Sequence, residues 1–268
     1  MNIDINVGII QLSSNDNLKD NCRQLEYYFN QCVEKGANFI LSPEVSNFIS
    51  TDNELRNKTL TTEKEDPMIH LVKKLCKKFT VWCLIGSTVL KIKKDKFVNR
   101  SILINENGRI VSKYDKIHMF DVKINCKETY FESKFFKPGR ELVLVKTPFA
   151  RIGLTICYDV RFPYLFSALK NCGADIICVP SAFTVKTGKD HWETLLKARA
   201  IENQIFIIAP AQCGQNTSSR KTWGHSVIID PNGKILCDLG NKIDYDVIKL
   251  KKSLSIAYFQ RYYSLKLN

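Results

Sequence analysis

The sequence lacks the residue spacings that are typical of metal sites and dithiol redox sites. It contains 10 cysteines and 4 histidines, but no two cysteines form a Cys-x-x-Cys pair and no two histidines form a His-x-x-x-His pair. Zinc sites and dithiol redox sites need closely spaced ligands of these kinds. The sequence therefore predicts no metal site.

Long apolar runs and an N-terminal targeting segment are also lacking. No apolar run approaches the roughly 18 residues of a membrane span, and the opening residues MNIDINVG do not resemble a signal peptide. Cys83, Cys178 and Cys213 lie within apolar stretches, where free thiols behave as small hydrophobic side chains. We therefore expect a cytoplasmic protein with reduced thiols and no membrane partner.

The net charge of +13 at neutral pH permits two interpretations. A basic chain can bind a polyanion such as nucleic acid, or it can simply have a lysine-rich, solvated surface. The lysine pairs at 73–74, 77–78, 93–94 and 251–252 are far apart, and the basic residues are mostly lysine, whereas sequence-specific readers prefer arginine. We therefore expect no nucleic-acid partner, although the charge could attract small anionic substrates.

Strand and helix patterns alternate along the chain, which predicts one α/β domain over residues 1–268. Predicted strands cover residues 3–11, 39–41, 81–90, 99–104, 109–114, 142–146, 151–156, 176–180, 205–210, 226–229, 235–238 and 247–250. Predicted helices cover residues 18–35, 68–79, 163–171 and 191–203, and a long loop covers 115–140. Asn-Gly turns at 107–108 and 232–233 indicate hairpins, so the sheets should be mixed.

Cys157 stands where a predicted strand meets a predicted helix, in the run ARIGLTICYDVRFPYL. A thiol at such a corner projects from the sheet edge and faces the positive end of the helix dipole. This placement predicts a lowered thiol pKa and a reactive thiolate. The charged neighbours Asp159 and Arg161 are unusual beside an inert core cysteine, so we expect Cys157 to be a nucleophile.

Two further charged residues follow predicted strands. Glu44 lies just after the strand over 39–41, and the C-terminal ends of strands form the usual mouth of an α/β site. Lys116 lies in the mixed charged and aromatic segment KYDKIHMFD. Taken singly, either residue could be an ordinary surface side chain. A cysteine–histidine pair remains open as well, because any of the four histidines could approach the thiol.

Three segments, SPEVSNF, KYDKIHMFD and TICYDVRFP, resemble in this order the signature segments of the carbon-nitrogen hydrolase (nitrilase) superfamily. The resemblance extends from about residue 5 to about residue 250 and includes ESKFFKPG, PSAFTVKTG, HWETLLKARAIENQ, AQCG and GHSVIIDPNG. It favours the branch that contains deaminated glutathione amidase and omega-amidase. The fold that it implies is a four-layer αββα sandwich with two mixed sheets, in a homodimer or higher homo-oligomer.

The resemblance also implies roles for individual residues. Glu44 would be the general base, Lys116 the cation beside the oxyanion, Cys157 the nucleophile and Glu132 a second glutamate near Lys116. The implied substrate-binding residues are Arg161 and Thr187, which would hold a carboxylate, together with Tyr158 and Phe183. Two features depart from the pattern: Asp190 stands where relatives carry a small or apolar residue, and the C-terminal tail lacks a proline.

The implied activity is hydrolysis of a linear amide through a cysteine thioester, with no cofactor. The expected substrate is a small amide that bears a carboxylate, with deaminated glutathione as the first expectation. Omega-amidase action on α-ketoglutaramate and hydrolysis of N-carbamoyl amides are the enzyme alternatives. A binding protein that has kept the fold without the activity is the non-enzyme alternative, and the intact set of Glu44, Lys116, Glu132 and Cys157 argues against it.

Overall fold

The computed structural model describes residues 3–123 and 129–251. The strands are β1 (Asp4–Gln11), β2 (Phe39–Leu41), β3 (Trp82–Lys93), β4 (Lys96–Ile104), β5 (Ile110–Asp115), β6 (Asp121–Lys123), β7 (Thr129–Phe131), β8 (Val143–Lys146), β9 (Arg151–Leu154), β10 (Ile176–Cys178), β11 (Phe206–Ala209), β12 (Cys213–Thr217), β13 (Arg220–Trp223), β14 (Val227–Ile229), β15 (Ile235–Asp238) and β16 (Asp244–Lys251). The helices are α1 (Leu18–Glu34), α2 (Asn53–Thr59), α3 (Pro67–Phe79), α4 (Pro163–Asn171) and α5 (Val185–Asn203).

The strands form two six-stranded sheets of similar design. The first has the order β16-β1-β2-β3-β4-β5, and the second has the order β15-β14-β11-β10-β9-β8. In each sheet three central strands are parallel, namely β1, β2 and β3 in the first and β9, β10 and β11 in the second. The flanking strands pair antiparallel. Both sheets are therefore mixed, as the predicted hairpins required.

Alternation along the central strands sets the layers, because successive side chains of a strand point to opposite faces. Val7 and Ile9 share one buried cluster with Ile152 of the second sheet. The next residue along each strand faces a helix instead. A Cβ at Gly8 would lie 3.0 Å from Cys32 of α1, and one at Gly153 would lie 3.0 Å from Leu169 of α4. Helices thus cover the outer faces of two sheets that pack together, which confirms the predicted four-layer αββα sandwich.

Most predicted elements are present, but α5 begins earlier than expected. The prediction of a helix starting at His191 is wrong, because the helix starts at Val185 and is capped by the Thr184 side chain. Gly188 lies in the first turns of the helix, and because glycine is a poor helix former, the sequence does not predict a helix there. Its hydrogen side chain is needed there, since a Cβ would lie 2.3 Å from Trp223.

Three short features were not predicted. They lack the apolar periodicity from which helices and strands are predicted, and they are helix α2, the polar hairpin β12–β13 and the strand pair β6–β7. The pair β6–β7 and a 3₁₀ turn at Glu132–Lys134 lie within the predicted long loop. The C-terminal tail after residue 251 lies outside the described residues. None of the described helices is long and apolar enough to span a membrane.

Candidate active site

Cys157 lies just beyond β9, at the first position of a 3₁₀ turn. Its backbone has φ of +49°, in the left-handed region that non-glycine residues seldom adopt. The Cys157 N–H donates to the carbonyl of Pro180 at 2.9 Å, which fixes the turn against the end of β10. Cys157 as a whole is only 8% exposed. Strained backbone of this kind persists where surrounding structure enforces it, and it is common at functional sites.

Glu44 follows β2 in a loop that is pressed against β3. A Cβ at Gly86 would lie 2.0 Å from the Ser42 carbonyl, so only glycine permits this approach. The Glu44 carboxylate is buried, and its Oε1 accepts a hydrogen bond from Asn99 Nδ2 at 2.9 Å. The Glu44 backbone carbonyl accepts a second hydrogen bond from Gln212 at 3.0 Å. The carboxylate is therefore held from both its side chain and its backbone.

Lys116 joins two carboxylates. Its Nζ donates to Glu44 Oε1 at 3.0 Å and to Glu132 at 2.8 Å and 3.2 Å. Glu132 also accepts the backbone N–H of Phe120 at 2.7 Å. Lys116 is 3% exposed, so its ammonium is paired in a largely water-free environment, where charge-assisted hydrogen bonds are strong.

The Cys157 thiol lies within hydrogen-bonding reach of the Glu44 carboxylate, and the Lys116 charge acts on it too. Burial, followed by the Glu44 charge, raises the pKa of the thiol well above its usual range. The prediction of a lowered thiol pKa is therefore wrong. Desolvation and a neighbouring carboxylate both disfavour thiolate, and they outweigh the helix-end position that suggested it.

For Glu44 and Lys116, unlike the thiol, neighbouring charges outweigh burial in setting the pKa. Burial alone would raise the pKa of Glu44, but the Lys116 ammonium holds that pKa below its ordinary value. Burial alone would lower the pKa of Lys116, but the charges of Glu132 and Glu44 hold that pKa well above its ordinary value. At neutral pH the Cys157 thiol is therefore neutral, the Glu44 carboxyl is ionised and Lys116 is an ammonium.

These groups line a cavity of about 280 Å³. Its wall includes the predicted residues Glu44, Lys116, Glu132, Cys157, Tyr158, Phe183 and Thr187, together with Arg56, Asn99 and Arg220. The predicted residues thus come from five separate segments of the sequence and meet at one concave site. A cavity that gathers a nucleophile, a carboxylate and a cation has the parts that acyl transfer needs.

A sequence model described as carbon-nitrogen hydrolase matches residues 6–250. The chain belongs to the carbon-nitrogen hydrolase family. It is 40% identical over 234 residues to deaminated glutathione amidase of Yersinia enterocolitica, covering 86% of this chain and 81% of that relative. It is also 40% identical over 245 residues to deaminated glutathione amidase of Dictyostelium discoideum, covering 89% and 84%.

The solved structures agree with this family. Saccharomyces cerevisiae Nit3, a member of branch 10 of the nitrilase superfamily, superposes with a TM-score of 0.86 at 27% identity, over 98% of this chain and 96% of that one. The predicted resemblance and the predicted enzyme class are thereby confirmed. This carbon-nitrogen hydrolase is an amidase of the nitrilase superfamily, in which hydrolysis through a cysteine thioester is general.

Arg161 is the one predicted site residue that does not line the cavity of this carbon-nitrogen hydrolase. Its guanidinium carbon lies 5.6 Å from the ring centroid of Tyr158 and 5.5 Å from that of Phe183. Its Nη2 lies 3.2 Å from His191 Nδ1. Arg161 therefore lies against two aromatic residues of the wall.

Sequence reasoning missed Arg56, Asn99 and Arg220. Arg56 belongs to α2 and Arg220 to β13, two polar elements that the apolar pattern could not predict. Asn99 was predicted as the first residue of a strand, and only the alternation of β4 could have indicated that its side chain faces inward with Glu44.

The histidines do not line the cavity, so the cysteine–histidine alternative has no support. His70 contacts the Lys64 carbonyl, and His225 contacts Asp238. His118 contacts Asp159, and His191 contacts Arg161 as described above. Within residues 3–123 and 129–251, moreover, no cluster of three or more His, Cys, Asp or Glu side chains has a geometry suited to a metal ion.

Asp159 connects the turn of Cys157 to the segment of Lys116 and is completely buried. One carboxylate oxygen accepts the Ile156 N–H at 2.8 Å and the Tyr114 hydroxyl at 2.7 Å. The other contacts His118 through the backbone N–H at 3.1 Å and Nδ1 at 2.6 Å. Since Ile156 precedes Cys157, and Tyr114 and His118 flank Lys116, one carboxylate fixes both segments.

Proposed function

We propose that this carbon-nitrogen hydrolase is a deaminated glutathione amidase in which Cys157 is the nucleophile, Glu44 the general base and Lys116 the cation beside the oxyanion. The observation that carries the assignment of roles is the meeting of a buried thiol, a carboxylate and an ammonium in one cavity. The substrate assignment is supported by the two relatives of that name at 40% identity.

The first half of the reaction forms a thioester. Glu44 takes the thiol proton as the Cys157 sulfur attacks the carbonyl carbon of the amide. Because the pKa of the thiol is raised and that of Glu44 is lowered, the proton transfer is unfavourable unless the new C–S bond forms with it. Resting thiolate is therefore not needed, and the substrate itself triggers activation of the nucleophile.

The oxyanion of the tetrahedral intermediate is held by Lys116 Nζ and the backbone N–H of Tyr158. A preorganised donor of this kind typically contributes about 3–4 kcal/mol to the transition state. Glu132 keeps the ammonium in position through two contacts, so little reorganisation accompanies the reaction. When the C–N bond breaks, Glu44 gives its proton to the leaving amine.

The second half of the reaction releases the acid. Glu44, again ionised, takes a proton from a water molecule that attacks the thioester carbonyl. The C–S bond breaks, the thiolate recovers the proton from Glu44, and a carboxylic acid leaves. Glu44 thus accepts and then returns one proton in each half of the cycle.

Thr187, Phe183 and Tyr158 are proposed to contact the substrate, as wall residues of the same cavity. Arg161 is proposed to bind a substrate carboxylate after it moves from its position against Tyr158 and Phe183. We further propose that the chain is one domain that acts in the cytoplasm as a homodimer or higher homo-oligomer. These last statements are supported by the sequence resemblance.

A panel of amides tests the substrate assignment. We expect kcat/KM for deaminated glutathione to exceed that for α-ketoglutaramate and for an N-carbamoyl amino acid by about tenfold or more, because binding of the larger substrate uses more of the cavity. The first two substrates both yield α-ketoglutarate, so one dehydrogenase-coupled assay reads both, and ammonia release reads the third. A higher value for α-ketoglutaramate would favour an omega-amidase. No turnover of any amide would favour a binding protein.

Asp159→Asn tests whether the buried carboxylate positions the nucleophile. The amide group would present N–H donors to groups that now donate to Asp159, so the turn before Cys157 should shift. Small misplacements of reacting groups cost about 10²-fold in rate, and we expect a fall of this size in kcat with KM little changed. Steady-state kinetics and circular dichroism provide the measurement.

The matched control is Tyr114→Phe, which removes one of the contacts to Asp159 and leaves its charge. We expect this variant to lose less kcat than Asp159→Asn. An equal loss of kcat in both variants, or a change confined to KM, would contradict a positioning role for the carboxylate.

A further inference from the structure

Arg56 and Arg220 are two cations of the cavity wall that the proposed reaction does not use. Arg56 extends from the short helix α2, and Arg220 is the first residue of β13 in the hairpin β12–β13. Both line the same cavity as Cys157. Aromatic side chains accompany them, with Arg56 5.5 Å from the Phe135 ring centroid and Arg220 6.0 Å from that of Tyr130.

Neither guanidinium is fully satisfied by the protein. Arg56 Nη2 donates to the Ser50 carbonyl, and Arg220 Nη2 donates to the Ala182 carbonyl at 3.1 Å. Arg56 Nη1 and Arg220 Nε are buried and have no hydrogen-bond partner. Buried donors without a hydrogen-bond partner are uncommon and unfavourable in folded proteins. Two of them in one cavity wall therefore indicate that a bound ligand supplies the acceptor.

Two other arginines that are buried or partly buried have carboxylate partners. Arg100 pairs with Glu63 and Asp115, and Arg199 pairs with Glu202. Among residues 3–123 and 129–251, neither Arg56 nor Arg220 forms an ion pair. The two wall arginines therefore differ from the structural arginines of the same chain.

The charges of the cavity wall are unequal. Apart from the thiol and two tyrosines, the ionisable residues of the wall are two acids and three bases, namely Glu44, Glu132, Lys116, Arg56 and Arg220. Three cations therefore face two carboxylates, so the wall has one positive charge in excess. Both carboxylates pair directly with Lys116, and neither guanidinium has a carboxylate of its own among the described residues. Burial, and then the charge of Arg220, lowers the pKa of Arg56, although Asp52 and Glu132 oppose that shift. An anion bound near both guanidinium groups would offset this repulsion.

We propose that Arg56 and Arg220 bind a carboxylate of the substrate, in addition to any carboxylate bound by Arg161, and so select amides that carry two carboxylates. Guanidinium groups bind carboxylates through paired N–H donors, which suits this pair of cations. The proposal rests on the proposed function and extends it to a substrate class. Deaminated glutathione belongs to that class, because it has an α-keto acid at one end and a glycine carboxylate at the other.

Arg220→Gln is the main test, with Arg56→Gln beside it. For deaminated glutathione we expect each variant to raise KM by about 10- to 100-fold, as expected for the loss of charge-assisted hydrogen bonds. Two analogues, one with the glycine carboxylate converted to an amide and one with the α-keto acid carboxylate converted to an amide, identify the group that is bound. The effect of Arg220→Gln should vanish for one analogue and persist for the other.

The matched control is Lys221→Gln, which removes the same charge from the neighbouring exposed residue outside the cavity. We expect its KM to match that of the unmodified enzyme. Arg220→Lys keeps the charge but loses the guanidinium fork, and it should recover part of the affinity. If Arg56→Gln does not fold, the three variants at 220 and 221 decide the matter.

Binding of glutarate, measured by calorimetry on the unmodified enzyme and on Arg220→Gln, separates this proposal from the proposed function. Weak turnover of deaminated glutathione, together with glutarate binding that depends on Arg220, would overturn the substrate assignment and retain the anion site. Equal KM changes for deaminated glutathione, both analogues and a neutral amide would overturn the anion site. Glutarate binding that is unchanged in Arg220→Gln would overturn it too.

Discussion

Replacing Cys157 with alanine is expected to abolish amide hydrolysis while leaving the fold intact. The side chain would supply the only covalent bond to the acyl group, and removing an enzyme nucleophile can cost on the order of 10⁶-fold in kcat. The change deletes one small atom from a site that is held by backbone hydrogen bonds and by Asp159. Product release measures the activity, and mass spectrometry of the unmodified enzyme after rapid quenching should show the thioester.

Cys178→Ala is the matched control for this prediction. Cys178 is also a buried thiol at the end of a central strand, but it does not line the cavity. We expect this variant to retain near-normal activity and to form the thioester. Comparable turnover by the two variants would contradict the assignment of Cys157 as nucleophile.

Replacing Glu44 with glutamine is expected to reduce kcat by about 10²- to 10⁴-fold, the usual contribution of a general acid–base group. Glutamine has the same shape and retains an acceptor for Asn99 and Lys116, but it cannot take the thiol proton. The matched control is Glu193→Gln, an exposed residue of α5, which should leave kcat unchanged. A Glu44→Gln variant as active as Glu193→Gln would show that another group removes the proton.

The same carboxylate predicts the pH dependence of the unmodified enzyme. The pKa of Glu44 lies below its ordinary value of 4.5, so the base stays ionised through the neutral range. We expect the acid limb of kcat/KM to lie below that ordinary value and to disappear in Glu44→Gln. The free energy of unfolding depends on pH in the same direction. A carboxyl whose pKa is lowered by folding stabilises the protein at pH values above its pKa in the unfolded state, and this contribution is lost as pH falls through its pKa in the folded state.

The sequence was sufficient to predict the framework, because the central strands are short apolar runs with clear breaks. The strand at 39–41 and the helix at 163–171 were predicted with their observed ends. Cys157 was predicted from its position between a strand and a helix, whereas Glu44 and Lys116, which also follow strands, could each have been an ordinary surface side chain. The resemblance to a family then related the three to one another.

The errors have physical causes that sequence patterns do not contain. The pKa of Cys157 depends on burial and on the distance to Glu44, neither of which is local in the chain, so the helix-end argument gave the wrong direction. The start of α5 depends on Gly188 fitting against Trp223. Arg56 and Arg220 enter the cavity from polar elements, and only folding reveals that they face the same space.

The high pKa of the Cys157 thiol also bears on oxidative damage. Peroxide reacts with the thiolate form of cysteine, and sulfenic acid is the first product of that attack. A nucleophile that stays protonated until an amide carbonyl arrives is a poor target between turnovers. Burial, which disfavours the Cys157 thiolate, thus also protects this thiol from hydrogen peroxide, and the exposed Cys172 is the more accessible thiol for such an oxidant.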